Sequence, residues 1–426
     1  MRTSKSTRSF LVLLSAPAMF FLPRQATAVT FDVSASGDGM DLSQAMALAG
    51  PGDIVSLADG TYDRAVVSVR RGEFGRPITV VGGREAIIKG DYSSRSVLIQ
   101  HSHITLKGFS VEGKIGSGSG PEAYVNKCVY VEGTGSLLDG FVMEDLFIQN
   151  CGGECVRLKD GVVNAQIVGN TILDCGIHDY QFESEDKNGE GIYIGTSSSQ
   201  WSGVPDTCKG NLVRGNMITT NANECVDIKE GATGNIIEDN ICANQLDENS
   251  GCFNSRGDEN TFRYNVGSNC RGAGMRLGGW DVNGYEHGQG NNVYGNDFTN
   301  VGFGAIKVET LGQGEVCGNT CEDGTCGVTG SVKGNIPETW NQACGDMTSS
   351  STPPAAPTTT STTITTSDEG FPYSTSDSPD SSAPSEERSS PSSLEQSSGD
   401  DSSSSTEDQN RGDSDEAPLS SSGEGS

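Results

Sequence analysis

The residues of this sequence best suited to chemistry are cations and carboxylates that recur at fixed places in a repeated five-residue segment. With the first residue of each copy as position zero, position two reads Tyr130, Arg157, Tyr193, Asp227, Asn254 and Arg276. Position four reads Glu132, Lys159, Gly195, Lys229, Arg256 and Gly278, and Lys307 alternates outward between Ile306 and Val308. A Lys or Arg held among other cations loses its proton more readily than a free one and can act as a base. Its neighbours can meanwhile neutralise a substrate carboxylate, so that charge developing beside it becomes tolerable. Glu190 and Glu224 stand just before two copies, as Glu154 does before a third, and with Asp227 they offer oxygen ligands. Ca²⁺ takes such ligands, six to eight at about 2.4 Å. The plainer account of the same charges is a solvated face on which Lys229 and Arg256 pair with Asp227 and Glu230.

The copies that carry these residues align without gaps: CVYVE from Cys128, CVRLK from Cys155, GIYIG from Gly191, CVDIK from Cys225, CFNSR from Cys252, GMRLG from Gly274 and a looser GAIKV from Gly304. Positions one and three are almost always Val, Ile, Leu, Phe or Met, so alternation turns them to a core and turns positions zero, two and four to solvent. Between copies lies a second apolar stretch built around Asn170, Asn216, Asn240, Asn265, Asn296 or Asn319, with Asp145 in the first. Stacked Asn side chains at a turn satisfy buried polar groups of the next coil, which makes them structural rather than ligand contacts. Starts of successive copies lie 27, 36, 34, 27 and 22 residues apart from Cys128 to Gly274, so the longer coils carry surplus as loops.

Short alternating strands, Gly and Asn turns and almost no helical periodicity predict an all-β chain wound as a right-handed parallel β-helix. A β-sandwich would not explain one pattern recurring in register. Residues 40–48 read as a short amphipathic helix that caps the open end. Neighbouring coils of such a solenoid are about 4.8 Å apart, so Lys159, Asp227, Lys229, Arg256 and Arg276 are expected to border one groove. Loops at 196–211 with Trp201, 279–290 with Trp280, Tyr285 and His287, and 177–190 would wall it.

Composition bounds the rest. From Met347 onward the chain is almost all Ser, Thr, Pro, Gly, Asp and Glu, with fifteen carboxylates against two Arg, which accounts for much of the net charge of -29. Such a segment cannot bury enough apolar surface to order, and reads as a disordered tail over 347–426, either a glycosylated stalk or a plain spacer. Basic residues before the apolar run Phe10–Leu22, and then Ala26-Thr27-Ala28, read as a signal peptide over 1–28. Residues 29–346 are then a secreted β-helix domain. The terminal Gly-Glu-Gly-Ser is not a lipid-anchor signal, and a monomer without a membrane anchor is expected. Nucleic acid is not a partner for so acidic a chain. Thirteen cysteines in a secreted chain should mostly form disulfides, with one left over. Strand spacing suggests bridges between adjacent coils, Cys128 with Cys155 and Cys225 with Cys252, and a further one between Cys151 and Cys175.

The run from Gly50 to Gly83, GPGDIVSLADGTYDRAVVSVRRGEFGRPITVVGG, followed by ITLKGFSVEG, resembles the opening of right-handed β-helix proteins of the pectin-lyase-like superfamily. It is particularly similar to the chondroitinase B and alginate lyase family and to the family-9 pectate lyases, over about residues 40–322. The resemblance implies β-elimination on a uronic acid polymer such as pectate. In CVDIKEG, similar to the lysine-bearing strand of those lyases, Lys229 would be the base, with Arg256 the second catalytic cation. Arg157, Lys159, Tyr193, Arg276, Trp280 and Lys307 would bind substrate, and Glu190, Glu224 and Asp227 could hold Ca²⁺. The several Asp residues that the family-9 lyases use for the metal are not reproduced. A polygalacturonase-type hydrolase needs paired carboxylates on the strand face, which the sequence lacks. A non-catalytic glycan-binding wall protein is the alternative, and burial of Lys229 and Arg256 in salt bridges would favour it.

Overall fold

The computed structural model describes residues 27–90, 95–183, 188–332, 336 and 338–345. The expected signal peptide, up to residue 26, and the tail from 347 lie outside the described residues. The coils belong to a compact unit, Met1–Cys344. Three long parallel sheets run along it: sheet A from Thr30–Val33 to Val316–Cys317, sheet B from Gly60–Tyr62 to Thr320–Gly324, and sheet C from Val66–Val67 to Val328–Thr329. Each coil visits C, then A, then B, and returns to C one strand further on, which is the right-handed parallel β-helix that the repeat predicts.

Alternation places the core. Val129, Val131, Val156, Leu158, Ile192, Ile194, Val226 and Ile228, the position-one and position-three residues, are fully buried in one continuous cluster. The helix is Leu42–Leu48; Asp41 caps it by accepting from Ser43 N at 2.8 Å, and Leu42, Ala45 and Met46 cover the first coil. At the other end Gly318 N donates to Gln342 O and Asn319 N to Trp340 O, so the 338–344 segment closes the last coil.

The Asn repeat is a hydrogen-bonded ladder. Asn240 donates through Nδ2 to Asn265 Oδ1 at 2.9 Å and to Val213 O at 3.0 Å, and its Oδ1 accepts from Asn216 N and Nδ2. Its neighbours from Asn170 to Asn319 repeat the pattern. In the first coil the aligned residue is Leu146, whose N donates to Asn170 Oδ1, and not Asp145. Asp145 instead takes a left-handed φ of 55°, at the place where Gly169 stands in the next coil. A second ladder, Asn211, Asn235, Asn260 and Asn291, runs five residues upstream. The spacing Asn-x4-Asn, present in four coils, carries that signal in the sequence.

Disulfide pairing differs from the expectation. Cys128 bonds Cys151, Cys155 bonds Cys175, Cys225 bonds Cys242 and Cys252 bonds Cys270, so each bridge closes one coil from its sheet C strand to its own sheet B strand or the residues just after it. Side chains at equal register in a parallel sheet point the same way and run side by side, whereas strands of different sheets face one another across the core. Position zero is therefore buried, not solvent-facing, and Cys128, Cys155, Cys225 and Cys252 are core residues. Two more bridges, Cys317–Cys344 and Cys321–Cys326, staple the C-terminal end.

Cys208 is the free thiol, buried beside Asp206 Oδ1 at 3.2 Å. Burial and the Asp206 carboxylate push its pKa well up, so no thiolate is available. An aromatic disulfide reagent is expected to find no reactive thiol in the native protein and one after unfolding without reductant. Rapid native labelling would contradict this placement.

Candidate active site

Sheet C aligns the position-two residues as the repeat predicts. Tyr130, Arg157, Tyr193, Asp227, Asn254, Arg276 and Lys307 are successive partners across seven strands. The row faces away from the core but is not open to water along its length. Tyr130 and Arg157 are 1% exposed, Asp227 is fully buried, and Tyr193 and Asn254 are 3% exposed. Side chains stacked every coil cover each other, and the surplus between strands adds further structure beside the sheet. It includes the helix Ile177–Phe182, part of a segment read from sequence as loop, and the turn Pro121–Ala123, joined by His178 Nε2 to Pro121 O at 3.0 Å and by Tyr124 against Phe182.

The first half of the row is an alternating stack of cations and rings. Arg95 lies over Tyr130 at 4.0 Å, and Tyr193 is held between Arg157 at 3.9 Å and Lys229 at 4.4 Å. Arg157 also donates to Glu154 at 2.5 Å, and Lys127 meets the same carboxylate at 3.1 Å. Glu154 is thereby paired with two cations, and its charge still contributes to raising Glu190 further along. Lys159 is half-buried at the edge, opposite Glu132.

The second half brings acid and base together. Oxygens of Glu190, Glu224 and Asp227 lie within 4.8 Å of one another, and all three residues are buried. Lys229 Nζ is 2.6 Å from Asp227 Oδ2 and 3.9 Å from Glu190 Oε1. One register step along, Arg256 Nε is 3.4 Å from Glu230 Oε1. Lys229 and Arg256 are thus neighbours on one side of the solenoid, with side chains 12% and 13% exposed. Asn254 links the two halves of the charge set. Its Nδ2 donates to Asp227 at 2.9 Å and its Oδ1 accepts from Arg276 Nη1 at 3.1 Å. Arg276 has no carboxylate within ion-pair reach among the described residues, while Lys307 donates to Asn249 O at 2.8 Å and lies 3.5 Å from Glu309.

Burial, then neighbouring charge, sets the protonation of this group. Burial and the adjacent Asp227 push Glu224 up to about 7, and burial with the nearby carboxylates raises Glu190 well above the carboxylate range. Burial and Arg256 act to lower Lys229, yet Asp227, Tyr193 and Glu190 outweigh them and its ammonium is held above the usual lysine value. Arg276 is lowered by burial and by Arg256. Carboxylate oxygens gathered this closely are the hard donors that a divalent cation takes, so Glu190, Glu224 and Asp227 suit such an ion.

The walls come from the length surplus. Residues 280–287 form an antiparallel hairpin, Asp281–Val282 against Tyr285–Glu286, turned by Asn283 and Gly284 at φ 56° and 82°. An Asn-Gly pair between strand-forming residues is a sequence signal for this turn that the loop assignment overlooked. Trp280 is exposed on the hairpin, and Trp201 meets His287 edge-on at 5.5 Å, so the two loops touch.

No protein-family model and no curated protein matches this chain. Solved structures do. An alginate lyase from Paenibacillus sp. str. FPU-7 superimposes with a TM-score of 0.54 at 20% identity, over 70% of this chain and 99% of the other. The fold it shares with this chain is the parallel β-helix. A rhamnogalacturonan lyase aligns with the same β-helix at TM-score 0.52 and 15% identity, over 75% of this chain and 87% of the other. Pectate lyase Pel9A does so at TM-score 0.50 and 15% identity, over 75% and 82%. At these identities the likeness establishes the architecture, and the chemistry has to be argued from the residues.

Proposed function

We propose that this chain is a secreted polysaccharide lyase that cleaves a uronic acid polymer by β-elimination. One observation carries the reading: Lys229, Arg256 and Arg276, the last without an ion-pair partner among the described residues, stand beside three buried carboxylates on a single sheet of the β-helix. In the reaction Lys229 Nζ takes the proton on the carbon beside the uronate carboxylate. That electron pair forms the ring double bond, the bond to the glycosidic oxygen breaks, and the departing oxygen takes up a proton. Arg276 would receive the uronate carboxylate, which would stabilise the developing charge. Arg256, locked to Glu230, supplies a second positive charge beside the lysine. A Ca²⁺ held by Glu190, Glu224 and Asp227 would neutralise the uronate carboxylate further. With Asp227 and Glu190 engaged, burial and Arg256 still favour the neutral amine of Lys229, while Tyr193 opposes them. Arg157 and Tyr193 would act from beneath by fixing the lysine, while Lys159, Trp280 and Lys307 lie at the groove margins. Six disulfides and no helix among the described residues long and apolar enough to span a membrane agree with secretion.

The ion pairs Lys229–Asp227 and Arg256–Glu230 favour a second reading, a non-catalytic glycan-binding protein in which the same charges are structural. Incubation with pectate, alginate and chondroitin, with and without Ca²⁺, separates the two. Ultraviolet absorbance of unsaturated uronate ends is expected on at least one polymer, lost on chelation and restored by Ca²⁺. Glycan binding with no such absorbance on any polymer would establish the binder instead.

A further inference from the structure

The 280–287 hairpin has two unlike faces. Asp281 pairs Glu286 and Val282 pairs Tyr285, and His287 N donates to Trp280 O at 3.1 Å. Alternation then puts Trp280, Val282, Tyr285 and His287 on one face and Asp281 and Glu286 on the other. On the first face Tyr285 stacks against His287 at 4.6 Å, and His287 in turn meets Trp201. Trp280 and Tyr285 are 53% and 56% exposed, too much aromatic surface for simple cover.

The hairpin is anchored to the candidate active site. Asp258, two residues beyond Arg256, accepts from His287 Nδ1 at 3.0 Å and from the N–H groups of Gly288 and Gln289 at 2.8 and 2.9 Å. At its base Gly279 lies so close that a Cβ there would sit 2.5 Å from Arg256 O. A ring stacked on Trp280 and Tyr285 would therefore adjoin the sugar held by Arg256 and Arg276.

Charge defines what that ring is. Residues 279–290 contain no Lys or Arg and the loop 196–211 only Lys209, while Asp258 and Glu259 adjoin Tyr285, and Asp281 and Glu286 stand on the other face of the hairpin. A uronate there would meet like charge without a cation, whereas the apolar face of a neutral sugar would stack favourably. We propose that this hairpin is a subsite for an uncharged sugar flanking the reacting uronate, so that the substrate is a copolymer of uronates and neutral sugars. The inference rests on the lyase reading for the reacting uronate and adds the composition of the chain around it.

The test compares a polymer alternating galacturonate with rhamnose against uniform polygalacturonate, following unsaturated ends. The alternating polymer is expected to be the better substrate. Trp280→Ala should lower kcat/KM on it by about tenfold, several times more than on the uniform polymer. Glu286→Lys, fully on the surface, should shift preference toward the uniform polymer. Equal or better cleavage of polygalacturonate, or equal loss on both polymers in Trp280→Ala, overturns the proposal. If neither polymer yields unsaturated ends, the lyase reading fails, and affinity electrophoresis in gels of each polymer still decides the subsite. Trp280-dependent retardation by the alternating polymer supports it, and its absence refutes it.

Discussion

Replacing Lys229 by arginine is expected to abolish β-elimination, by on the order of 10³-fold in kcat, while leaving the thermal midpoint within a few degrees of the parent. The guanidinium keeps a positive charge against Asp227, now 2.6 Å from Nζ, but it holds its proton far more tightly than the ammonium in the same place. Lys229→Ala is the informative companion. It also removes the base, yet it strands buried carboxylates, at a cost of about 3–5 kcal/mol, so its loss of activity comes with loss of fold. Rates of unsaturated-end formation read beside melting curves separate the two effects. An active Lys229→Arg protein would remove this lysine as the base.

Asn240→Ala carries the largest expected effect on stability, about 3–5 kcal/mol, or roughly 5–10 °C in the melting midpoint. Asn240 is fully buried, and its amide serves Val213 O, Glu238 O and Asn265 Oδ1 while accepting twice from Asn216. Alanine leaves those groups without water or partner in the middle of the stack. Met217→Thr, on the outer surface of the adjoining sheet B, is the control and should stay within about 0.5 kcal/mol. Equal melting of the two variants would mean that the ladder does not support the solenoid.

The fold was legible because a solenoid repeats its instructions. Val and Ile at alternate positions and an Asn at each turn recur coil after coil, so the inward rows and one ladder could be read without coordinates. The second ladder carries an equally regular signal, Asn211, Asn235, Asn260 and Asn291, but an Asn beside a Gly is also ordinary turn chemistry, so the residue type alone does not separate the two. The one-residue error at Asp145 arose because Asp and Asn both tolerate the left-handed turn beside the ladder. The Asn283-Gly284 turn was likewise present in the sequence.

For the candidate site, alternation put Asp227, Asn254 and Arg276 in one row, and position four brought Lys229 beside Arg256, since period and register are local properties of strands. Exposure is not local. The sequence alone showed that positions two and four leave the core, and wrongly placed position zero with them, but only the tertiary structure decided that Tyr130, Arg157 and Tyr193 lie covered while Arg276 has no carboxylate within ion-pair reach among the described residues. Whether a cation meets an acid depends on what neighbouring coils and loops lay across it. The same holds for the cysteines: their number required bridges, and the direction of each Cβ, set by which sheets face one another, chose closure within a coil over linkage between coils.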